Sequence, residues 1–237
     1  MLAATVNRRL RCVQIWIGSD VATVVECGRL PQSTVGRRFI NMFEHVAVAP
    51  WLANELETCG ISAVTCHLPV WNVGIPEEVP PFTGPFAVLT YLPEQYAEFY
   101  GQSHIRRLSV EFPNVEIHVV GAHRPSTRLP RARYLGQVDD MASIYSRTHV
   151  LIRMTEHDGM SNMVQEALGF GRHVLWTYEL PGVTQCNDYY GLRNAVGGFR
   201  DRYLAGCLLP NLIGRQYVLS IDPRKSIEQL LALAFEG

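Results

Sequence analysis

Along most of the chain, short apolar runs are separated by polar, helix-forming stretches. The runs VQIWIG (13–18), HVAVA (45–49) and ISAVTCHL (61–68) come first, the last two separated by WLANELETCG, which reads as a short helix stopped at Gly60. This is a small α/β unit. The segment NVGIPEEVPPFTGPF, Asn72 to Phe86, then carries Pro76, Pro80, Pro81 and Pro85 with Gly74 and Gly84, follows neither the helical nor the alternating period, and reads as a linker. Beyond it the alternation is clearer: FAVLTYL (86–92), a helix near 97–110, VEIHVVG (115–121), ARYLGQV (132–138), a helix near 140–147, HVLIRM (149–154), a helix over Ser161–Phe170, and HVLWTY (173–178). Short apolar strands alternating with helices predict a parallel sheet covered on both faces. The expected division is 1–75 for a first unit, 76–85 for the Pro/Gly linker and 86–237 for a larger α/β domain, the two facing across a cleft. Ligands bind at the carboxyl ends of such strands, so the turns after residues 92, 121, 138, 154 and 178 are expected to line a site.

One of these turns opens the stretch DGMSNMVQEAL, Asp158 to Leu168, in which an acid, a glycine and two small polar residues precede an apolar helical stripe with a second acid inside it. At helical spacing Met163, Val164, Ala167 and Leu168 form one buried stripe, while Asn162 and Glu166 share another face, off the core. Helical side chains lean toward the N-terminus. Glu166 is therefore expected to reach back toward the first turn, where Gly159, Met160, Ser161 and Asn162 present unpaired N–H groups at the positive end of the dipole. That end attracts an anion such as a phosphate. A carboxylate one turn behind a phosphate accepts two hydrogen bonds from a ribose diol, and Asp158 in front is placed for the hydroxyls of a sugar beyond the phosphate. The pattern suits a sugar nucleotide. It also fits a plainer arrangement, with Asp158 as a helix cap and Glu166 as a solvated acid.

The composition narrows the classes. With 47% hydrophobic and 18% charged residues and no low-complexity run, the 237-residue chain buries a proper core, in one large domain or two small ones. A formal charge of −1 without a block of one sign leaves no expectation of nucleic-acid binding. The six cysteines (Cys12, Cys27, Cys59, Cys66, Cys186, Cys207) form no C-x-x-C pair and have no histidines at zinc spacing, so reduced thiols and no metal are expected. Arg8, Arg9 and Arg11 precede an apolar run that Asp20 interrupts, no small-residue cleavage site follows, and no run of 18 apolar residues occurs. The expected address is the cytoplasm.

Residues 86 to about 185 resemble the nucleotide-sugar glycosyltransferases of the GT-B fold, particularly the large retaining family 4. The resemblance rests on a strand, an acid–Gly pair, seven residues between two acids, then E-A-L-x-x-G and another apolar strand. Here these are Asp158, Gly159, Glu166-Ala167-Leu168, Gly171 and HVLWT, with VEIHVVG and RYLGQVDDMASIYSRTHVLIR upstream in the family's order. It implies two Rossmann-like α/β units facing across a cleft, the first abbreviated at about 80 residues where the family's acceptor-binding half is roughly twice that. It further implies that Glu166 binds the ribose hydroxyls, Asp158 the donor sugar, and Gly159 to Asn162 the diphosphate and sugar through the backbone. Gly121, Ala122 and His123 would lie near the base, as would Gly136 and Val138 through their backbones.

The chain departs from the family in two further places. The first acid is Asp where the family usually has Glu, and TYLPEQYAEF lacks the Arg and Lys that usually follow the first strand of this half. Arg153, ending HVLIRM, is the candidate cation for the departing diphosphate, the alternative being a salt-bridged structural group; Arg124 and Arg172 are weaker choices. IWIGSD, with Gly18 to Asp20, resembles a cleft-facing loop of the first half and equally an ordinary strand-to-helix cap. His157, beside Asp158, reads as an exposed loop histidine in preference to a proton-transfer group, and Trp51, Trp71 and Trp176 as core or domain-contact residues in preference to sugar platforms.

The leading expectation is a metal-independent, cofactor-free enzyme that moves a sugar from a UDP- or GDP-linked donor to an acceptor, retaining configuration, in glycan or cell-surface polysaccharide synthesis. A non-catalytic nucleotide-sugar-binding module is the alternative that the short first half and the missing basic pair favour; a nucleotide-sugar epimerase of the same fold is a third. A nicotinamide-dependent enzyme is disfavoured, because no strand is followed by G-x-G-x-x-G. If the acceptor is lipid-linked, a patch of Arg8, Arg9, Arg11, Arg37 and Arg38 would hold the protein peripherally on anionic lipid; otherwise these arginines are a solvated surface.

Overall fold

A computed structural model describes residues 12–26, 40–68, 73–123 and 128–235. The chain separates into two compact units: Met1–Pro69 with His157–Ser161 and Ile221–Gly237, and Val70–Glu156 with Asn162–Ser220. The basic residues Arg8, Arg9, Arg11, Arg37, Arg38 and Arg124, together with Trp71, lie outside the described residues.

In the first unit, β1 (Cys12–Trp16), β2 (Phe43–Ala47) and β3 (Val64–Thr65) form a parallel sheet in that order. Helix α1 (Ser19–Glu26) follows β1 through a turn that the Asp20 carboxylate holds, accepting from the backbone N–H groups of Ile17 at 3.1 Å and Gly18 at 2.8 Å. Helix α2 (Pro50–Thr58) starts on a proline, whose missing N–H is no loss in a first turn. Val46, Ala47, Ala49, Leu52 and Leu56 are fully buried between β2 and α2. The run 61–68 supplies only two strand residues. The C-terminal helix (Pro223–Phe235) packs with this unit: Ser226 Oγ donates to the His67 carbonyl at 2.8 Å and Gln229 Nε2 to that of Thr65 at 3.3 Å. The division expected from the sequence, 86–237, puts this helix in the second unit; the bonds that place it with the first reach back 159 and 164 positions and leave no local pattern.

The second unit is built on β4 (Ala87–Leu92), β5 (Glu116–Gly121), β6 (Ala132–Gly136), β7 (Val150–Arg153), β8 (His173–Trp176) and β9 (Val183–Gln185). All pairings are parallel, in the order β6-β5-β4-β7-β8-β9, so strand order reverses between β4 and β7. The connecting helices are α3 (Gln102–Glu111), α4 (Met141–Arg147) and α5 (Asn162–Gly169); α6 (Tyr189–Leu204) and α7 (Leu212–Ser220) follow β9. The predicted 97–110 helix is a 3-10 turn, Ala97–Tyr100, followed by α3, the two separated by Gly101 in the left-handed region. A Cβ on Gly101 would stand 2.6 Å from the Met154 carbonyl oxygen, so the close approach admits only glycine. Asp140 and Asp188 cap α4 and α6 through the N–H groups of Ser143 and Gly191. Both faces of the sheet are covered, which is why Val88, Leu89, Val119, Val150, Ile152 and Leu175 are buried without alternation.

The proline segment packs into the second unit as a strap. Proline removes amide donors but leaves carbonyl acceptors, and two buried arginines serve these. Arg215 of α7 donates to the carbonyls of Pro76 at 2.6 Å and Glu77 at 2.8 Å, and also to that of Gly169; Arg172 donates to Pro80 at 2.6 Å. Phe82 stacks on His149 with ring centroids 5.1 Å apart.

Candidate functional site

In an open parallel sheet, the crevice outside the carboxyl ends at the reversal of strand order is where ligands bind. On the β4 side of that reversal, a pocket of about 310 Å³ opens at the ends of β4, β5 and β6, lined by Tyr91, Val120, Gly121, Gly136, Gln137 and Val138. Two of its walls are glycines with positive φ, 102° at Gly121 and 67° at Gly136. A Cβ on Gly121 would stand 2.7 Å from the Tyr91 ring, and one on Gly136 would run into the His123 imidazole. That imidazole is held in place: Gln137 N–H donates to Nε2 at 3.3 Å, and the His123 N–H donates to Glu94 at 3.3 Å. Of the residues assigned to the base by the resemblance, Gly121, Gly136 and Val138 meet at one pocket, His123 packs over Gly136, and Ala122 is buried behind. Tyr91, Val120 and Gln137 were missed. Tyr91 and Val120 read as core residues within apolar runs, and Gln137 gave no signal at all.

Arg153 ends β7, half-buried, with its guanidinium 5.7 Å from the centroid of the Tyr100 ring, which in turn meets Tyr91 edge-on at 5.0 Å. Arg172 is fully buried on Pro80 and Phe82 and has no path to a phosphate.

Glu166 does not lie off the core as its spacing suggested. It is 3% exposed, because α5 packs against β7, β8 and α7 and buries Val164 through Gly169 without a solvent face. Its carboxylate Oε2 accepts from the Tyr145 hydroxyl at 2.6 Å. Burial pushes the Glu166 pKa above the usual carboxylate value while that hydrogen bond pulls it back; burial likewise pushes the Tyr145 hydroxyl upward.

Residues His157–Ser161, which carry the other acid, belong to the first unit. Trp51 Nε1 donates to the Asp158 carbonyl at 2.8 Å, and Glu55 Oε2 meets His157 Nε2 at 2.7 Å, so His157 is a half-buried partner of α2 and not an exposed loop residue. A Cβ on Gly159 would collide with the Ile17 carbonyl, and one on Gly18 would stand 2.8 Å from Gly159 N. Helix α5 begins at Asn162, four residues past Asp158; Met160 and Ser161 are buried and Asn162 is exposed. Trp176 is fully buried. Among the described residues no three His, Cys, Asp or Glu side chains gather as metal ligands, five cysteines are free, and no helix is long and apolar enough to cross a membrane.

No protein-family model and no curated protein sequence matches the chain. Solved structures do. A TarM variant of S. aureus in complex with fondaparinux, alpha-GlcNAc-glycerol and UDP is 10% identical with a TM-score of 0.61, over 81% of this chain and 44% of that one. The pneumococcal O-GlcNAc transferase GtfA in complex with UDP and GlcNAc is 12% identical, TM-score 0.60, over 83% of this chain and 46% of that one. HepE of Anabaena in complex with UDP and glucose is 15% identical, TM-score 0.58, over 80% of this chain and 63% of that one. These neighbours are glycosyltransferases of the GT-B fold. The chain shares their Rossmann-like α/β architecture and spans less than two thirds of the length of each.

Proposed function

We propose that the protein is a glycosyltransferase of the retaining family 4 type, with an abbreviated first half, that takes a UDP- or GDP-linked sugar as donor. The observation that carries this reading is the glycine-walled pocket at the carboxyl ends of β4 to β6, with buried Glu166 on the helix after β7, in a fold shared with proteins whose structures hold UDP and a sugar. In this reading the base enters the pocket between Gly121 and Gly136, and Glu166 accepts the ribose diol. The N–H groups of Gly159 to Asn162 take the diphosphate and sugar, and Asp158 takes the sugar hydroxyls. Arg153 and the α5 N-terminus stabilise the departing diphosphate without a metal, so catalysis is positioning plus electrostatic stabilisation. The acceptor belongs to glycan or cell-surface polysaccharide synthesis, and the protein works in the cytoplasm, at the inner face of the membrane where the acceptor is lipid-linked.

A second reading, a nucleotide-sugar-binding module without turnover, is favoured by one observation. No Arg or Lys lies between Leu92 and Ile105, where Glu94 and Glu98 stand instead, and Arg172 is locked on Pro80. Thermal unfolding with a panel of nucleotides tests what both readings share: UDP or GDP at about 100 times its Kd should stabilise by roughly 2.7 kcal/mol, and no response to any nucleotide would end both. Hydrolysis or transfer of sugar from the stabilising donor then separates them.

A further inference from the structure

We infer that Tyr145 is a positioning residue for nucleotide binding: its hydroxyl occupies one oxygen of the Glu166 carboxylate and so presents the other, in a fixed orientation, to the ribose diol. This rests on the reading of Glu166 as the ribose-binding acid. Tyr145 and Glu166 are 0% and 3% exposed, and the O–H···O distance of 2.6 Å is that of a charge-assisted bond. A buried carboxylate without donors reorients or takes up a proton, since desolvation penalises its charged form. Tyr145 supplies the donor on which Glu166 rests. The tyrosine is itself anchored, its ring 5.3 Å from that of Phe170, at the end of α5, and its own helix capped by Asp140.

The other charged groups on elements packed around α5 have different partners or reach Glu166 indirectly. Arg153 of β7 acts electrostatically on Tyr145, His173 of β8 meets the Leu209 carbonyl at 2.9 Å, and Arg215 of α7 serves the carbonyls of Gly169, Pro76 and Glu77. The hydroxyl is therefore the group whose removal changes the state of Glu166 while leaving the packing intact.

The test is calorimetric binding of UDP and GDP to the full chain between pH 5 and pH 8, for the unmodified protein, Tyr145→Phe, Glu166→Gln and the double variant, with thermal melts to confirm folding. In the unmodified protein, affinity is expected to fall as pH drops through the Glu166 pKa. In Tyr145→Phe the midpoint of that fall should move to higher pH, and affinity at pH 7 should drop about tenfold to a hundredfold, the scale of one hydrogen bond to a charged group. In the Glu166→Gln background, Tyr145→Phe should change neither affinity nor profile, because its effect runs through the acid. Protonation of the ligand's own diphosphate is common to all four proteins and cancels in the comparison. The double variant leaves no buried acid unpaired, so it remains informative if Tyr145→Phe alone folds poorly: a further loss of affinity in it, relative to Glu166→Gln, would overturn the inference. An unshifted profile in Tyr145→Phe, with Glu166→Gln still weakened, would reduce Tyr145 to packing and leave the ribose role of Glu166 standing. Undiminished binding in Glu166→Gln, or no binding of either nucleotide to the unmodified protein, would overturn both.

Discussion

Trp51 donates its indole N–H to the carbonyl oxygen of Asp158, 107 positions away in sequence, at 2.8 Å. One helical turn along α2 from Trp51, Glu55 holds His157 at 2.7 Å, so two residues on one face of α2 fix the backbone that carries the proposed sugar-binding acid. Trp51→Phe keeps the bulk and removes the donor, at a cost of about 0.5–1.5 kcal/mol. Turnover should fall severalfold while the affinity for UDP or GDP stays within about twofold. Steady-state kinetics alongside calorimetry checks this; equal losses in both would mean that the contact serves the fold at large.

Gly136→Ala should keep the protein folded and abolish nucleotide binding. The added methyl meets the His123 ring at a backbone φ of 67°, where a side chain is itself strained by roughly 1–2 kcal/mol. Retained binding in a titration would remove the pocket from the nucleotide site.

Arg215→Met should cost about 2–4 kcal/mol of stability, because three strap and helix-end carbonyls lose a charged donor inside the protein. Hydrogen exchange should rise in residues 73–82 more than in β4 to β7. Protection of the strap unchanged in the variant would show that its apolar contacts suffice.

Stability should fall on mild acidification. Burial first, and the neighbouring Arg172 second, push the fully buried His149 from an ordinary 6.5 down to about 4, so the folded state keeps it neutral while the unfolded chain takes up a proton. Its contribution is complete above about pH 6.5 and is lost progressively toward pH 4, with a slope of up to roughly 1.4 kcal/mol per pH unit. Half-buried His173 is pushed to about 4 in the same direction, again chiefly by burial. Urea unfolding between pH 7.5 and 5 should show this slope, flattened in His149→Gln, which retains an acceptor for the Ala87 amide and no titratable ring.

The second unit was largely legible because its signals are local. Apolar runs such as FAVLTYL and HVLIRM sit within one or two residues of β4 and β7, and helix α5 within one residue of its predicted ends. Three-residue β9 escaped because it is too short to carry a period. What the sequence hid is long-range. The burial of Glu166 depends on α7 closing over α5 and on a tyrosine 21 positions upstream, and the strap depends on arginines about 90 and 140 positions away. Spacing reports the helix face on which a residue lies; it does not report what will cover that face.

The division of labour between the two acids tests the proposed function most directly. Calorimetry of Glu166→Ala and Asp158→Ala, each with the bare nucleoside diphosphate and with the complete sugar donor, gives four affinities to set against the unmodified protein. Glu166→Ala should weaken the diphosphate by about 1.5–3 kcal/mol, while Asp158→Ala should leave it nearly intact and lose affinity only for the donor, together with turnover. Small and equal effects of both substitutions on both ligands would contradict the account and return the two acids to a loop residue and a structural carboxylate.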